Sequence, residues 1–460
     1  MREIPIHAAI ADPDFQALAD FVLVEMRRLQ VPGVAVGVLH DGREQMAGLG
    51  VTSVENPLPV TTSTLFQIGS TTKTFTGTAI MRLVEMGRID LDAPVKQYLP
   101  DFTLRDKTAE TIVTPRHLLT HMGGWVGDFF EETGNGDDAL ARYVADMAEL
   151  EQVVPAGSLW SYNNAGFAVA GRLIEVVTGM TYETALQELV LDPLELDESF
   201  FFANDIISRR FAVGHRVDPE QGPVVERPWA LTRAAHAVGG LSSSVRDQLR
   251  YARFHLGDGR AGSGTRLLQP ETLADMQRPH VRANLDRQMG LSWLLREIDG
   301  VMTVAHGGAT NGQLSAFLVV PSRGFAITVL TNADEGSMLN DSVVTWALER
   351  YLGLEGAPPA STLALPEDLS SYLGDYDAAL DRLTLYLDGD TLMAQSTPKG
   401  GFPDKHSPPG PTPPPSRLRF YEEDRVIALD PPMIHTRSEF LRDDQGRIAW
   451  LRTSRLHRKG

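Results

Sequence analysis

The sequence predicts an α+β protein: an antiparallel sheet flanked by helices, joined to an all-helical subdomain and followed by a small all-β barrel. Three observations carry this. The apolar run Val34 to Leu39 turns back across Asp41-Gly42, a strong hairpin signal, and a second antiparallel pair follows at Ser315 to Pro321 and Phe325 to Thr331 around Ser322-Arg323-Gly324. Between these pairs, helical periodicity occupies much of residues 71–178. After residue 372 the pattern becomes that of short strands and tight turns. With 460 residues and 42% hydrophobic content, the chain can bury a large core and exceeds the usual size of one domain.

The elements follow in order. Asp12-Pro13 opens a helix that is apolar at 15, 18, 22, 26 and 29 and stops before Pro32-Gly33. Thr74 to Gly87 is apolar at 75, 79, 80, 83 and 84 and ends at a glycine, which predicts a buried helix. A further helix is expected over 165–178, and a last one over 338–352 closes the first domain, 1–353. Residues 354–363, with two prolines and few charges, form a linker. The second domain, 364–460, contains Leu383 to Leu387 turning across Asp388-Gly389 into Leu392 to Ala394, with more alternation near 417–429 and 448–456. Its Pro-rich loop, 396–416, is expected to be unable to pair in a sheet and to be mobile.

Chemistry is concentrated at Ser70-Thr71-Thr72-Lys73, followed at wide intervals by Tyr162-Asn163-Asn164 and His306-Gly307-Gly308. Residues i and i+3 share a helix face, so a helix beginning near Ser70 stands the Lys73 amine beside the hydroxyl. A lysine in a closed, desolvated pocket loses proton affinity and can act as a base near neutral pH. By itself S-x-x-K is weak, since about one copy is expected by chance at this length. A second copy does occur at Ser396-Thr397-Pro398-Lys399, but Pro398 and Gly400-Gly401 forbid the helix that would join its two side chains. H-x-G also recurs at His121 and His255.

Order and context select among these copies. With Thr114 to Gly124, Pro155-Ala156-Gly157 and Gly239 to Ser243, the three motifs resemble the serine β-lactamase and penicillin-binding-protein superfamily. The resemblance is to its class-C-like branch, which includes family VIII-type esterases, D-amino-acid peptidases and penicillin-binding-type thioesterases. It covers most of the chain, and the tail resembles the lipocalin-like domain appended to many members.

The resemblance implies roles. Ser70 matches the acylated nucleophile, Lys73 its base, and Tyr162 the group that handles the proton of the leaving group and later of water. Asn164 is expected to bond Lys73 and the substrate amide, while Asn163 serves the turn before the helix. The backbone N–H groups of Ser70 and Ala309 would form the oxyanion hole. His306 stands where lactamases usually carry lysine, and a neutral imidazole there weakens the β-lactamase reading; Gly307 and Gly308 are expected to leave room for substrate along the strand.

Other classes are disfavoured. There is no Gly-x-Ser-x-Gly elbow, and Thr72 occupies the position where a phosphate loop needs glycine. His117 and His121 have zinc-pair spacing but lack the intervening glutamate, and read as framework residues. The chain has no cysteine, which excludes disulfides and thiol catalysis. Neither metal nor cofactor is expected. A net charge of −18 argues against nucleic acid and anionic membranes as partners. Without an evident signal peptide or membrane-length apolar run, a cytoplasmic location is expected, with a homo-oligomer compatible with the reading.

The expected activity is cleavage of a small ester, amide or peptide through a Ser70 acyl-enzyme, of carboxylesterase or D-selective peptidase type. The alternative is a peptide-cyclising acyltransferase of the penicillin-binding type. A weak β-lactamase and a non-catalytic binding protein on the same fold stand further back.

Overall fold

The computed structural model describes residues 6–7, 10–229, 231–284, 286–356, 363, 365–431 and 433–460. Among these, nine strands form one antiparallel sheet in the order 6–7, 43–50, 33–40, 325–331, 314–320, 301–309, 294–298, 287–289, 281–284. Both expected hairpins are present and adjacent, joined through the pairing of 33–40 with 325–331. Its inner strands are buried on both faces, so alternate residues serve different cores. Val34, Val36 and Val38 meet the terminal helices Pro13–Leu29 and Gly336–Leu352, whose Phe21 and Trp346 rings stack 5.7 Å apart. Ala35 and Leu39 face the other way, into the core shared with the helical subdomain.

That subdomain includes the helices Thr72–Glu85 and Asn164–Thr178. In the first, every residue from Thr72 to Met81 is buried, and the chain leaves the helix through Gly87 at φ +68°. The second is capped by the Asn163 side chain, which accepts from the Gly166 N–H, and stops at Gly179 in the left-handed region. Its buried face joins the same core. The junction of this subdomain with the strand Val301–Ala309 is where the predicted motifs converge.

Beyond the sheet domain, Leu354 is buried against the terminal helices, and the Glu355 and Gly356 N–H groups donate to Asp299. The remainder of the expected linker, apart from Leu363, lies outside the described residues. Eight antiparallel strands then close a barrel between Gly374 and Lys459, with a core that includes Tyr376, Leu385, Phe420 and Phe440.

The Pro-rich segment departs from expectation. Ser396, Thr397 and Pro398 end a paired strand, opposite Leu383, Arg382 and Asp381. Proline is tolerated there because it is the strand's last residue. Ser416 opens the next strand, opposite Ala394, and the residues between are a loop, but one fastened to the helical subdomain. The Lys405 N–H donates to the Phe130 carbonyl at 2.8 Å, the Lys405 amine pairs with Glu131 at 2.5 Å, and the Phe402 and Phe130 rings meet edge to face. The second S-x-x-K copy is not a site: Lys399 pairs with Asp377 across the barrel surface.

Candidate active site

A single 3-10 turn, Gly69–Thr71, precedes the buried helix and delivers Ser70 to its N-terminus. Gly69 has φ +50°, and a Cβ on it would lie 2.5–2.9 Å from the Ala309 backbone. Gly308 is equally constrained from the other side: its Cβ would sit 1.9 Å from the Ile68 carbonyl oxygen and 2.7 Å from the Ser70 nitrogen. The strand end 308–309 therefore lies directly against the backbone of Ser70. This corrects the expected reason for Gly308, since the space is filled by the segment carrying Ser70 rather than kept for substrate. A Cβ on Gly307 would find only the Ser315 carbonyl within reach, at 3.2 Å.

The Lys73 amine lies 2.9 Å from Ser70 Oγ and donates to the Val238 carbonyl at 2.7 Å. The side chain is fully buried. Burial drives its pKa well below the usual lysine value, with the nearby Arg455 charge adding to the effect and Asp128 opposing it. A neutral amine with one N–H on a carbonyl can turn its lone pair toward the serine hydroxyl, the arrangement required of a base. Burial raises the pKa of Tyr162, against a smaller opposing effect from Ser70 beside it, and keeps the phenol protonated in the resting site.

His306 is 2% exposed. Its Nδ1–H donates to the Gly307 carbonyl at 2.6 Å, which leaves the Nε2 lone pair buried and without a partner among the described residues. Burial, with Lys73 adding to it, lowers its pKa to about 3, so the imidazole is neutral throughout the physiological range.

His121 has moved from framework to neighbour. Its ring lies 4.3 Å from that of Tyr162, and its Nδ1 accepts from the Asn163 N–H at 3.0 Å. Burial holds it well below the usual histidine pKa. His117, by contrast, does cap a helix, with its ring nitrogen accepting from the Thr114 N–H.

Asn163 is the N-cap, in keeping with the turn assignment. For Asn164 the partner is different from the one expected. Its amide donates to Asp128 Oδ1 at 2.7 Å rather than to Lys73. Asp128 in turn takes two bonds from Arg455, Nε to Oδ2 at 2.7 Å and Nη2 to Oδ1 at 3.0 Å. The Arg455 guanidinium lies 4.8 Å from the centre of the Tyr162 ring. Burial opposes charge on Asp128, but Arg455, Asn164 and Lys73 outweigh it and hold the carboxyl below its usual range.

Arg455 comes from the barrel. The turn before the last strand, Leu456–Lys459, inserts into the site: the Tyr162 N–H donates to the Ser454 carbonyl at 2.9 Å, the Leu456 N–H to Ser161 Oγ at 3.2 Å, and Asn284 to the Thr453 carbonyl at 2.7 Å. Sequence reasoning missed both Asp128 and Arg455. Asp128 falls in the loop Trp125 to Asp138, whose conformation carries no sequence signal; Arg455 lies 385 positions after Ser70 in a strand pattern, where an arginine reads as surface.

The Beta-lactamase family model matches residues 18–349. The chain belongs to this family. Penicillin-binding protein 4 of Amycolatopsis lactamdurans is 35% identical over 361 residues, 75% of this chain and 93% of that one. The structure of SurE superposes with a TM-score of 0.75 at 25% identity over 97% of this chain and 99% of that chain, so the likeness runs through the barrel. A class C β-lactamase from Rhodobacter sphaeroides matches with a TM-score of 0.60 at 24% identity, covering 72% of this chain and 99% of its own. The protein is thus a β-lactamase-fold serine hydrolase. Among the described residues no helix is long and apolar enough to cross a membrane.

Proposed function

We propose that the protein cleaves an ester or amide bond, in the manner of a carboxylesterase or D-selective peptidase, through an acyl-enzyme on Ser70. The observation that carries this is the contact of a buried, partner-poor Lys73 with Ser70 Oγ. Lys73 takes the Ser70 proton as the oxygen attacks the carbonyl carbon, and the backbone N–H groups of Ser70 and Ala309 receive the oxyanion. Tyr162 gives its proton to the leaving oxygen or nitrogen and recovers one through Lys73. Water then repeats the sequence on the acyl-enzyme. Gly308 supports the oxyanion assignment, because its missing Cβ is what lets the strand lie against the Ser70 nitrogen.

Recognition of a substrate carboxylate falls to a different residue from the one lactamases use. His306, neutral and buried, cannot hold it by charge, whereas Arg455 presents a guanidinium at the site mouth with its side chain 32% exposed. This disfavours efficient β-lactam hydrolysis and favours substrates shaped to the barrel turn. A second reading, transfer of the acyl group to an amine in a penicillin-binding-type thioesterase, is favoured by the Asp128 carboxylate inside the site, an acceptor that an incoming amine can use.

The test is labelling and turnover together. Wild type should react with a fluorophosphonate, Ser70→Ala should not, and a panel of p-nitrophenyl esters, D- and L-aminoacyl anilides and nitrocefin should show ester or anilide cleavage well above nitrocefin. Persistent labelling of Ser70→Ala would move the nucleophile elsewhere.

A further inference from the structure

The turn that delivers Ser70 is held from both sides by a pair of hydroxyls. Thr71, the next residue, and Ser315, on the strand Leu314–Val320, are both buried, and their hydroxyl oxygens lie 2.9 Å apart. Ser315 Oγ also lies 2.7 Å from the carbonyl oxygen of Ile68, two residues before Ser70. A carbonyl can only accept, so the Ser315 proton goes there and the Thr71 hydroxyl donates to Ser315 Oγ. Two bonds in series therefore bracket Ser70 and meet on one side chain.

That side chain stands between the two oxyanion donors. Ser315 pairs with Gly308 across the sheet, and Leu314 with Ala309. A Cβ on Gly308 would lie 2.8 Å from Ser315 Oγ and 1.9 Å from the Ile68 carbonyl oxygen that Ser315 binds. Ser315 thus touches the strand that carries the Ala309 N–H and the turn that carries the Ser70 N–H.

Neither hydroxyl is needed to satisfy its neighbours. The Ile68 carbonyl also accepts from the Thr71 N–H at 3.2 Å, and the Thr71 hydroxyl has the His306 carbonyl at 3.3 Å as a second acceptor. Losing the Ser315 hydroxyl would orphan neither group, so the cost to folding should be small. What the pair restrains is position. An oxyanion hole works when both donors stand about 2.7–3.1 Å from the oxygen, and a turn free to slide along the strand would lose that fit.

Resting on the Ser70 acyl-enzyme reading, we infer that Thr71 and Ser315 are positioning residues of the oxyanion hole. They lock the turn of Ser70 against the strand of Ala309, so that both N–H groups meet the developing negative charge together. They act through these backbone donors and carry neither charge nor proton of the reaction.

The probe is a fluorophosphonate on the full-length protein. The Ser70 Oγ–P bond forms as the P–F bond breaks, fluoride leaves, the serine proton passes to Lys73, and the phosphoryl oxygen enters the hole. Maximal labelling rate and half-saturating concentration are measured across acidic to alkaline pH. In Ser315→Ala the maximal rate should fall at least about fivefold, less than the 10²–10³-fold of a donor removed outright. Its half-saturating concentration and the pH of its acidic limb should match wild type, because Lys73 is untouched. Thr71→Val should act alike, and the double variant should be slower than the worse single variant by no more than about threefold, since both changes break one series of bonds. Thr71→Ser, which keeps the hydroxyl, should label at nearly the wild-type rate; if packing were what mattered, Thr71→Val would be the faster of the two. A smaller loss in Ser315→Ala, a moved acidic limb, or Thr71→Ser slower than Thr71→Val would overturn the inference. Thermal melts check folding, and should Ser315→Ala be unfolded at the assay temperature, the two Thr71 variants decide. Labelling of the wild type at Ser70 with unaffected variants sinks only this inference, whereas no labelling at Ser70 sinks the acyl-enzyme reading and this inference with it.

Discussion

Two cationic side chains approach the Tyr162 ring, fully buried Lys73 at 5.1 Å from its centre and part-exposed Arg455 at 4.8 Å, and they are treated in opposite ways. Among the described residues Lys73 hydrogen-bonds only neutral oxygens, Ser70 Oγ and the Val238 carbonyl, and burial strips it toward the free amine. Arg455 is also drawn partly into the protein, yet Asp128 holds one of its edges by two hydrogen bonds; burial lowers its pKa, and Asp128 more than restores it. Depth alone does not set the charge of a group. The presence or absence of one carboxylate does, because an unpaired charge in a poorly solvated site gives up its proton where a paired one keeps it. Arg455 moreover comes from the barrel, so the barrel supplies the fixed charge near the base carried by the helix Thr72–Glu85.

The largest effect should come from breaking the Lys73 side. Lys73→Met should lower kcat by about 10²-fold or more, the scale of a positioned base, and yet raise thermal stability. The sign follows from linkage: a lysine whose folded pKa is depressed costs stability at every pH below its unfolded value of about 10.4, and stability rises with pH from the folded pKa up to that value. A melting series across neutral and alkaline pH in both proteins checks it; a destabilised Lys73→Met would mean the lysine is charged in the folded state.

Next comes the Arg455 side. Arg455→Met leaves Asp128 buried without its cation. Unpairing a fully buried ion costs about 3–5 kcal/mol, and the loss here should be smaller because Arg455 is 32% exposed. The same change removes a positive neighbour of Lys73 and uncovers a negative one, so the Lys73 pKa rises. The acidic limb of the kcat/KM profile should move to higher pH.

Asp128→Asn sharpens the comparison by the opposite sign. Removing the negative charge while keeping Arg455 lowers the Lys73 pKa further, and the acidic limb should move to lower pH. Shifts of the same sign in Arg455→Met and Asp128→Asn would refute the electrostatic account. Stability supplied by the Asp128 pairing should be present above the ordinary aspartate pKa of about 3.9 and be lost as pH falls through its depressed folded value.

The smallest effect on the pH profile should come from His306. With its pKa at about 3, it does not titrate where the enzyme works, so His306→Gln should leave the position of the acidic limb unchanged even if kcat falls. His306→Lys should shift relative activity toward carboxylate-bearing β-lactams, by up to about 3 kcal/mol for a charge-assisted bond, read as the nitrocefin-to-ester ratio.

Local sequence determined a great deal of this protein. The spacing of Ser70 and Lys73 fixed their contact because i and i+3 coincide on a helix, and Asp41-Gly42 fixed a hairpin because its backbone favours that turn. Asn163 declared itself a cap by the same local chemistry, and a histidine in place of lysine at 306 announced a wall without a fixed charge. Each of these depends on residues close in the chain. Tertiary structure decided the rest. The partner of Asn164, the move of His121 to the Tyr162 ring, and the fastening of the Pro-rich loop to Phe130 all depend on distant segments meeting. So does the Asp128–Arg455 pair, joined across 327 positions. No periodicity or propensity marks such residues, since an arginine in a barrel hairpin looks the same in sequence whether it faces water or an active site, and only the packing of the barrel turn against Asp128 and Tyr162 brings it to the site.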